Sequence, residues 1–169
     1  MMKDAVLVPD LLAKGLRIVF CGTAPSRTSA AARAYYAHPG NRFWPTLHEI
    51  GLTPKLVPAV NYEQLLSLRI GLTDLCKHHS GSDDELPAAG FDVEGLQAKI
   101  LHYAPDWLVF TSLTAARIAL GTSTVYGHQN IRWGTTQLYA CCSTSGRARR
   151  FWQQHIWDAI PQLASDSSR

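Results

Sequence analysis

The chain has 169 residues, of which 46% are hydrophobic and 17% are charged, and its formal net charge is +3. This composition is typical of a globular protein and excludes a disordered chain. No apolar run approaches the roughly 20 residues needed to cross a membrane. We therefore expect no membrane partner, and the length predicts one domain over residues 1–169. The small excess of basic over acidic residues fits contact with nucleic acid through a local patch.

The first residues do not have the pattern of a signal peptide. Their apolar stretch is short, and Pro9 and Asp10 interrupt it. We interpret residues 8–14 as a short helix and expect a cytoplasmic protein. The sequence has no heptads and no evident apolar surface stripe, so a monomer is expected.

A buried strand is predicted over residues 16–21, because continuous apolar character without alternation indicates cover on both faces of a sheet. The turn Gly22-Thr23-Ala24-Pro25-Ser26 follows it. Open α/β sheets bind ligands at the carboxyl ends of their strands, where backbone N–H groups are free to meet a carbonyl or an anion. The alternative is an ordinary connection between a strand and a helix.

A polar and aromatic cluster, YYAHPGNRFW, occupies residues 35–44. Aromatic rings beside an imidazole, an amide and a guanidinium suit a planar heterocycle, which is stacked on its face and hydrogen-bonded at its edge. Asn41 also has a structural use, since it precedes a predicted helix over residues 42–50 with Pro45 early and Gly51 just beyond its end.

A second strand is predicted over residues 69–73, so Asp74 would stand at the binding edge of the sheet. Residues 77–90 are rich in polar and turn-forming residues, and we interpret them as a solvated loop. His78 and His79 lie near two aspartates there, but the spacing has no metal-ligand frame, so no metal is expected.

The remaining strands and helices alternate along the chain. We predict a helix from Asp92 to Tyr103, a strand over residues 107–111, a helix between Thr114 and Gly121, an irregular loop over residues 125–136, and a fourth strand over residues 137–142. The predicted fold class is α/β, a three-layer α/β/α sandwich with a central four-stranded, mostly parallel sheet. The four cysteines lack a CxxC pair, so we expect reduced, mostly buried thiols and no cofactor.

A second small polar turn, STSGRARR, follows the fourth strand. We predict that it begins a helix whose Phe151, Trp152, Ile156 and Ile160 pack on the sheet. Arginines at the start of a helix oppose its dipole, and an anionic partner such as a phosphate would offset that cost. The backbone N–H groups of Ser145 and Gly146 would add to such a grip.

The succession of a strand, GTAPS, a helix and YYAHPGNRFW resembles the uracil-DNA glycosylase superfamily, particularly its mismatch-specific uracil/thymine and hypoxanthine branches. The resemblance continues through IGLTDLC at residues 70–76, the strand at 107–111 and RWGTTQLYACCSTSGRA at 132–148, so it spans residues 16–157. It implies that the partner is DNA that contains uracil or another deaminated base. The enzyme must extrude this base from the duplex, because its active site cannot reach a base that is stacked inside the helix.

The resemblance also implies roles for individual residues. Tyr36 stands where relatives stack an aromatic ring on uracil, and STSGRA stands where they have a DNA-penetrating loop. Relatives of the mismatch-specific branch position the attacking water with an asparagine where this chain has Ala24, whereas the hypoxanthine branch uses the asparagine that corresponds to Asn41. The expected catalytic residues are Asn41 and, as a water-orienting carboxylate, Asp74. The expected base-binding residues are Gly22, Thr23, Ala24, Tyr36 and His38, and the expected DNA-binding residues are Ser26, Ser143, Ser145, Gly146, Arg147 and Arg149.

Other interpretations stay open. Tyr36 or His38 would crowd a thymine methyl group, which favours uracil, while hypoxanthine remains the neighbouring alternative. Ala24, together with Ser143 and Thr144 at the second turn, also fits a damaged-base or mismatch-binding module without catalysis. A nucleotide-binding domain is a weaker option, because the chain has neither GxxxxGK[ST] nor GxGxxG.

Overall fold

A sheet with strand order β2-β1-β3-β5-β4 runs through the centre of the computed structural model, which describes residues 5–166. The predicted domain also includes residues 1–4 and 167–169, which lie outside the described residues. The strands of these 162 described positions are β1 Ile18–Gly22, β2 Ile70–Asp74, β3 Trp107–Phe110, β4 Gly127–Trp133 and β5 Thr136–Ala140. Strands β1, β2, β3 and β5 are parallel, and β4 is antiparallel to β5.

Both faces of the sheet are buried. In β1, Ile18 and Phe20 belong to one apolar core, and Val19 and Cys21 belong to the other. This is the consequence of a period of two along a strand, and it explains why inner strands have continuous apolar sequences. The predicted three-layer α/β/α class is therefore confirmed.

Helices cover the two faces. The described residues form α1 Arg27–Ala32, α2 Phe43–Glu49, α3 Val93–Tyr103, α4 Leu113–Leu120, α5 Gln154–Asp158 and α6 Ile160–Asp166, with 3-10 helices at Ala59–Leu68, Asp83–Glu85, Ala88–Gly90 and Gly146–Phe151. Leu47 of α2 and Ile156 of α5 pack in the first core. Leu96 of α3 and Ala115 of α4 pack in the second. None of the helices in residues 5–166 is both long and apolar enough to cross a membrane.

The predicted strand count of four was wrong, because residues 127–133 form β4 and not an irregular loop. This strand pairs on one side only, with β5, and its residues are mostly exposed until Trp133. An edge strand does not need an apolar sequence, and a register irregularity between His128 and Arg132 further weakens the alternating pattern. The periodicity signal for a strand was therefore absent.

The helix predicted over residues 8–14 was also wrong. The segment is not helical; Leu11 forms an isolated antiparallel bridge with Leu72 of β2, with both N–H···O distances 2.9 Å. Val8 and Leu11 are buried in the first core. The conformation of this segment depends on its pairing with a strand about 60 residues away, and the spacing of apolar residues within the segment does not reveal that pairing.

The segment after β5 differs from the single helix that the sequence predicted. It forms the 3-10 helix Gly146–Phe151, with non-helical backbone angles at Ala148, and then the two short helices α5 and α6. Phe151 is 52% exposed, so its predicted packing on the sheet was wrong, whereas Ile156 and Ile160 are buried as predicted. All four cysteines are buried free thiols, as predicted.

Candidate active site

A cleft of about 750 Å³ opens at the carboxyl ends of the parallel strands. Its walls are built mainly by residues 22–29 after β1, residues 111–114 after β3 and residues 143–148 after β5, with Asp74 at the end of β2. A parallel sheet collects these ends at one edge, which is where open α/β sheets bind ligands. The two turns that the sequence indicated therefore share one cleft.

Three polar groups converge at Gly22. A methyl group in place of its hydrogen would stand 3.0 Å from the Tyr36 hydroxyl, 3.1 Å from Asp74 Oδ1 and 3.4 Å from Thr111 Oγ1. The Tyr36 and Thr111 hydroxyls are hydrogen-bonded at 2.9 Å. A residue without a side chain at position 22 is what allows these groups to approach one another.

Tyr36 is held in an uncommon backbone conformation, with φ at +52°. Its ring stacks on Phe43 at a centroid distance of 4.0 Å and an interplanar angle of 27°. One ring face is therefore covered, and a base would have to stack on the other. Burial raises the pKa of the Tyr36 hydroxyl well above its usual value, so the group stays a neutral phenol in the cleft.

Asn41 lies at the amino end of α2 as predicted, although Arg42 is the N-cap residue, and its side-chain Oδ1 accepts the Phe43 N–H at 2.9 Å. A backbone N–H can donate only to the oxygen of the side-chain amide, so this bond assigns the Oδ1 and Nδ2 positions of Asn41. The NH₂ end is then the donor that remains for a ligand, and Asn41 lines the cleft.

His38 lies at the exposed rim of the same loop. Its Nδ1 accepts the Gly40 N–H at 3.0 Å. The neutral ring therefore carries its proton on Nε2, which makes that nitrogen a hydrogen-bond donor toward a ligand.

Asp74 is the most deeply buried acidic group of the cleft, at 5% exposure. Among the described residues its Oδ2 has no hydrogen-bond partner, and Lys77 Nζ lies 3.8 Å away as an ion-pair neighbour. Burial raises the Asp74 pKa from 3.8 to about 6, and the Lys77 charge opposes that rise only in part. Asp74 lines the cleft, its Oδ1 lies near Gly22, and its Oδ2 is buried on the side of Lys77.

The loop of Asn41 and the second turn are joined directly. The Arg42 N–H donates to the Thr144 carbonyl at 2.9 Å, and a Cβ on Gly146 would stand 3.2 Å from the Gly40 carbonyl oxygen. These contacts place the two predicted motifs side by side, although about 100 residues separate them in the sequence.

The serines of the second turn satisfy its own backbone. Ser143 Oγ accepts the Ser145 N–H at 3.1 Å, and Ser145 Oγ accepts the Arg147 N–H at 3.3 Å. The Ser145 N–H is therefore engaged, which corrects the expectation that it is free for a phosphate. Arg147 is exposed and lines the cleft, whereas Arg149 is exposed on the same segment but outside the lining.

The first turn is fixed to the end of β2. The Gly22 carbonyl accepts the Leu75 N–H at 3.0 Å, and the Thr23 carbonyl accepts the Cys76 N–H at 2.7 Å. Ser26 caps α1 by accepting the Ser29 N–H at 3.1 Å, so its hydroxyl already has a structural task. Ala24 also lines the cleft but offers no side-chain hydrogen bond.

Residues 81–85, predicted to be part of a solvated loop, instead form a wall of the cleft. Thr23 Oγ1 donates to Asp83 at 2.6 Å, the Gly81 N–H donates to the Pro25 carbonyl at 3.1 Å, and Arg27 pairs with Glu85. The segment thus brings acidic side chains to the mouth of the cleft. Turn-forming composition predicted exposure correctly but did not predict this docking.

Thr111 was missed as a site residue, although a signal was present. It follows β3 directly, as Asp74 ends β2, and the same rule of strand ends would have selected it. Within residues 5–166, no group of three or more His, Cys, Asp and Glu side chains is arranged to hold a metal ion.

The fold is that of an α/β protein with a cleft at the carboxyl edge of a mostly parallel sheet. The profile of the "Uracil DNA glycosylase superfamily" matches residues 9–164, and the chain belongs to this superfamily. The solution NMR structure of a Methanosarcina acetivorans protein described as a "putative Uracil DNA glycosylase" is similar, with a TM-score of 0.60 and 24% identity over 94% of this chain and 96% of that chain. At this identity the likeness establishes a shared fold.

Proposed function

We propose that this member of the superfamily is a monofunctional uracil-DNA glycosylase. It flips a deaminated base, uracil by preference, out of DNA and hydrolyses the N-glycosidic bond to leave an abasic site. The proposal includes a monomeric, cytoplasmic enzyme that needs no metal or cofactor. The observation that carries it is the single cleft that unites an amide donor, an aromatic face, a buried carboxyl group and an arginine-bearing turn.

The dimensions and chemistry of the cleft support binding of a flipped base. Its volume of about 750 Å³ lies within the usual range for small-molecule sites. The proposed stacking surface is the face of Tyr36 opposite Phe43, which supports the ring from behind. Donors for the base carbonyls come from the Asn41 amide and the backbone of residues 22–24.

Cleavage of the glycosidic bond leaves negative charge on the departing base and positive character on the sugar. The Asn41 NH₂ group stabilises the base as it gains charge, and a preorganised donor of this kind is worth about 10²–10³ in rate. Asp74 orients the attacking water by accepting its hydrogen bond. The water oxygen bonds to the sugar carbon, the electron pair of the broken carbon–nitrogen bond leaves with the base, and the water's extra proton passes to Asp74 and from there to solvent. The ionised form of Asp74 is the active one, so with a pKa of about 6 activity rises with pH into the neutral range.

The second turn supports a grip on the DNA backbone. Arg147 lines the cleft and follows Gly146, which lies against Gly40 of the Asn41 loop, so it can contact phosphates or fill the space that the extruded base leaves. Arg149 adds positive charge on the same segment. Extrusion costs least at a mismatch, so a uracil opposite guanine is the favoured duplex substrate.

Two alternatives depend on specific observations. Ala24 contributes no polar group for a water molecule, as in the hypoxanthine branch that the sequence resembles, so hypoxanthine is the second candidate base. The same residue fits a module that binds a damaged base or mismatch without cleaving it. Both are distinguished from the main proposal by the products of one experiment.

That experiment is alkaline strand cleavage of labelled oligonucleotides that carry one uracil, hypoxanthine or thymine, single-stranded or opposite guanine. We expect cleavage at uracil by the wild type, a loss of about 10²–10³ in rate for Asn41→Ala, and no change for the exposed control Asn61→Ala. Cleavage at hypoxanthine alone would assign the neighbouring activity. Tight binding of a modified duplex without abasic product would establish the non-catalytic module.

A further inference from the structure

A lysine is buried directly beneath the cleft. Lys77 is 9% exposed and follows Asp74 by one turn of chain. Its ammonium group lies 2.8 Å from Asp10 Oδ1, donates to the Tyr35 hydroxyl at 3.0 Å and lies 3.8 Å from Asp74 Oδ2. Buried ammonium groups are costly unless they are paired, so these contacts determine where the charge sits.

Asp10 is the group that holds the lysine in place. Besides Lys77, it accepts the Thr73 hydroxyl at 2.7 Å and pairs with Lys99 Nζ at 2.6 Å. Burial opposes ionisation of Asp10, but Lys77, Lys99 and Thr73 outweigh it and lower its pKa below the ordinary value. Asp10 is therefore a firmly ionised anchor between two lysines.

The charge on Asp74 is balanced by groups from several elements. Lys77 after β2 and Lys99 of α3 favour its ionised form, and Asp10 of the N-terminal segment disfavours it. The Tyr36 hydroxyl beside it is a neutral phenol, and Cys21 of β1 is a buried neutral thiol whose pKa burial raises further. Among these charges Lys77 has the largest effect on the Asp74 pKa, since its charge and its side-chain contact both favour the ionised carboxyl.

We propose that Lys77 is a positioning residue of the active site, whose ammonium, anchored by Asp10 and Tyr35, keeps the buried Asp74 carboxyl ionised and ready to orient the attacking water. The inference rests on the proposed function, because it assigns Asp74 a catalytic task. Lys77 itself touches no substrate. Asp10 acts in two ways: it fixes the lysine, and its own negative charge opposes the ionisation of Asp74.

Two substitutions with opposite expected effects test this arrangement. Lys77→Met removes the favourable charge, so the midpoint of the acidic limb of the pH–rate profile should move up by about one unit. Asp10→Asn removes an unfavourable charge while the Tyr35 hydroxyl still holds Lys77, so the midpoint should move down. A merely structural role would lower the rate of both variants at every pH and leave both midpoints unchanged.

Two measurements follow these shifts from about pH 4 to pH 9, which brackets the titration of Asp74. The first is the single-turnover rate on a uracil-containing duplex. The second is a carbon-13 NMR titration of the Asp74 carboxyl carbon in the protein alone, which requires no activity. Lys77→Arg keeps the charge and should keep both midpoints near the wild-type values, and the exposed control Lys55→Met should change neither.

Thermal unfolding of each variant establishes that it folds. If Lys77→Met does not fold, Lys77→Gln, which keeps a hydrogen-bond donor but no charge, takes its place, because loss of the Asp10 charge lowers the midpoint in Asp10→Asn whatever Lys77 does. An unchanged midpoint in a folded Lys77→Met or Lys77→Gln overturns the inference, and an unchanged or upward midpoint in Asp10→Asn overturns the part assigned to Asp10. If the NMR midpoints shift as expected while no modified base is excised, the proposed function fails and the electrostatic role of Lys77 stands.

Discussion

At the scale of single residues, the buried carboxyl of Asp74 is the feature with the clearest energetic cost. Its pKa rises from 3.8 to about 6 because burial disfavours the charged form. Between these two values the folded protein holds a proton that the unfolded chain has lost, so stability falls as pH rises through this window. About one unit above pH 6 the loss is complete and stays constant.

We therefore expect Asp74→Asn to stabilise the protein at pH 8 by about 2–3 kcal/mol and to have little effect at pH 4, where the wild-type carboxyl is already protonated. Urea unfolding of both proteins at the two pH values measures this difference. A variant that is less stable than the wild type at pH 8 would show that Asp74 stabilises the fold. The substitution should also lower the glycosylase rate, since an amide is a poor substitute for the proposed carboxylate.

The hydrogen bond between Thr111 and Tyr36 gives a second prediction. Thr111→Val keeps the shape of the side chain but leaves the Tyr36 hydroxyl without this partner, at a cost of about 1–3 kcal/mol in unfolding free energy. Thr111→Ser retains the hydroxyl and is the matched control. In a double-mutant cycle with Tyr36→Phe the two losses should not add, and full additivity would mean that the hydroxyls do not interact.

At the scale of elements, the segment at residues 81–85 changes the electrostatics of the cleft. Asp84 bonds to Ser82 within the segment, and this bond together with the charge of Arg147 lowers its pKa below the ordinary value. The contacts that dock the segment use Asp83, Glu85 and Gly81 instead. Asp84 is thus a negative charge that can be removed without releasing the segment.

Asp84→Asn should tighten binding of duplex DNA by about two- to tenfold at low salt, with the gain shrinking as salt increases, because a repulsion between the carboxylate and phosphates is removed. The exposed Glu49→Gln, outside the cleft, is the control for a change in net charge alone. Fluorescence anisotropy at two salt concentrations measures both variants. Equal affinity of Asp84→Asn and the wild type would show that this wall does not face the DNA.

The elements also show what sequence reasoning can reach. Four parallel strands were predicted because their apolar runs reflect burial on two faces. β4 was missed because an edge strand with exposed residues has no such signal, and residues 8–14 were misassigned because their pairing with Leu72 is a tertiary contact. The hydrophobic pattern of a segment predicts its secondary structure well when burial of that segment requires the pattern.

At the scale of the whole molecule, one edge of the sheet brings the chemistry together. Tyr36, Asn41 and Asp74 were predicted because each stands in a local motif or at a strand end. The Lys77–Asp10 anchor and the docking of residues 81–85 were not predicted, because they join residues about 60 positions apart through space. The N-terminal segment thereby becomes part of the support of the cleft.

The proposed excision of uracil depends on Asn41, whose amide is the side-chain donor for the base. The most direct measurement is the single-turnover release of uracil from a duplex with one uracil opposite guanine, with wild type, Asn41→Ala and Asn61→Ala side by side. We predict abasic product with the wild type and Asn61→Ala, and a rate lowered by about 10²–10³ with Asn41→Ala. Equal rates for all three proteins would remove Asn41 from catalysis, and an absence of abasic product with the folded wild type would contradict the proposed activity itself.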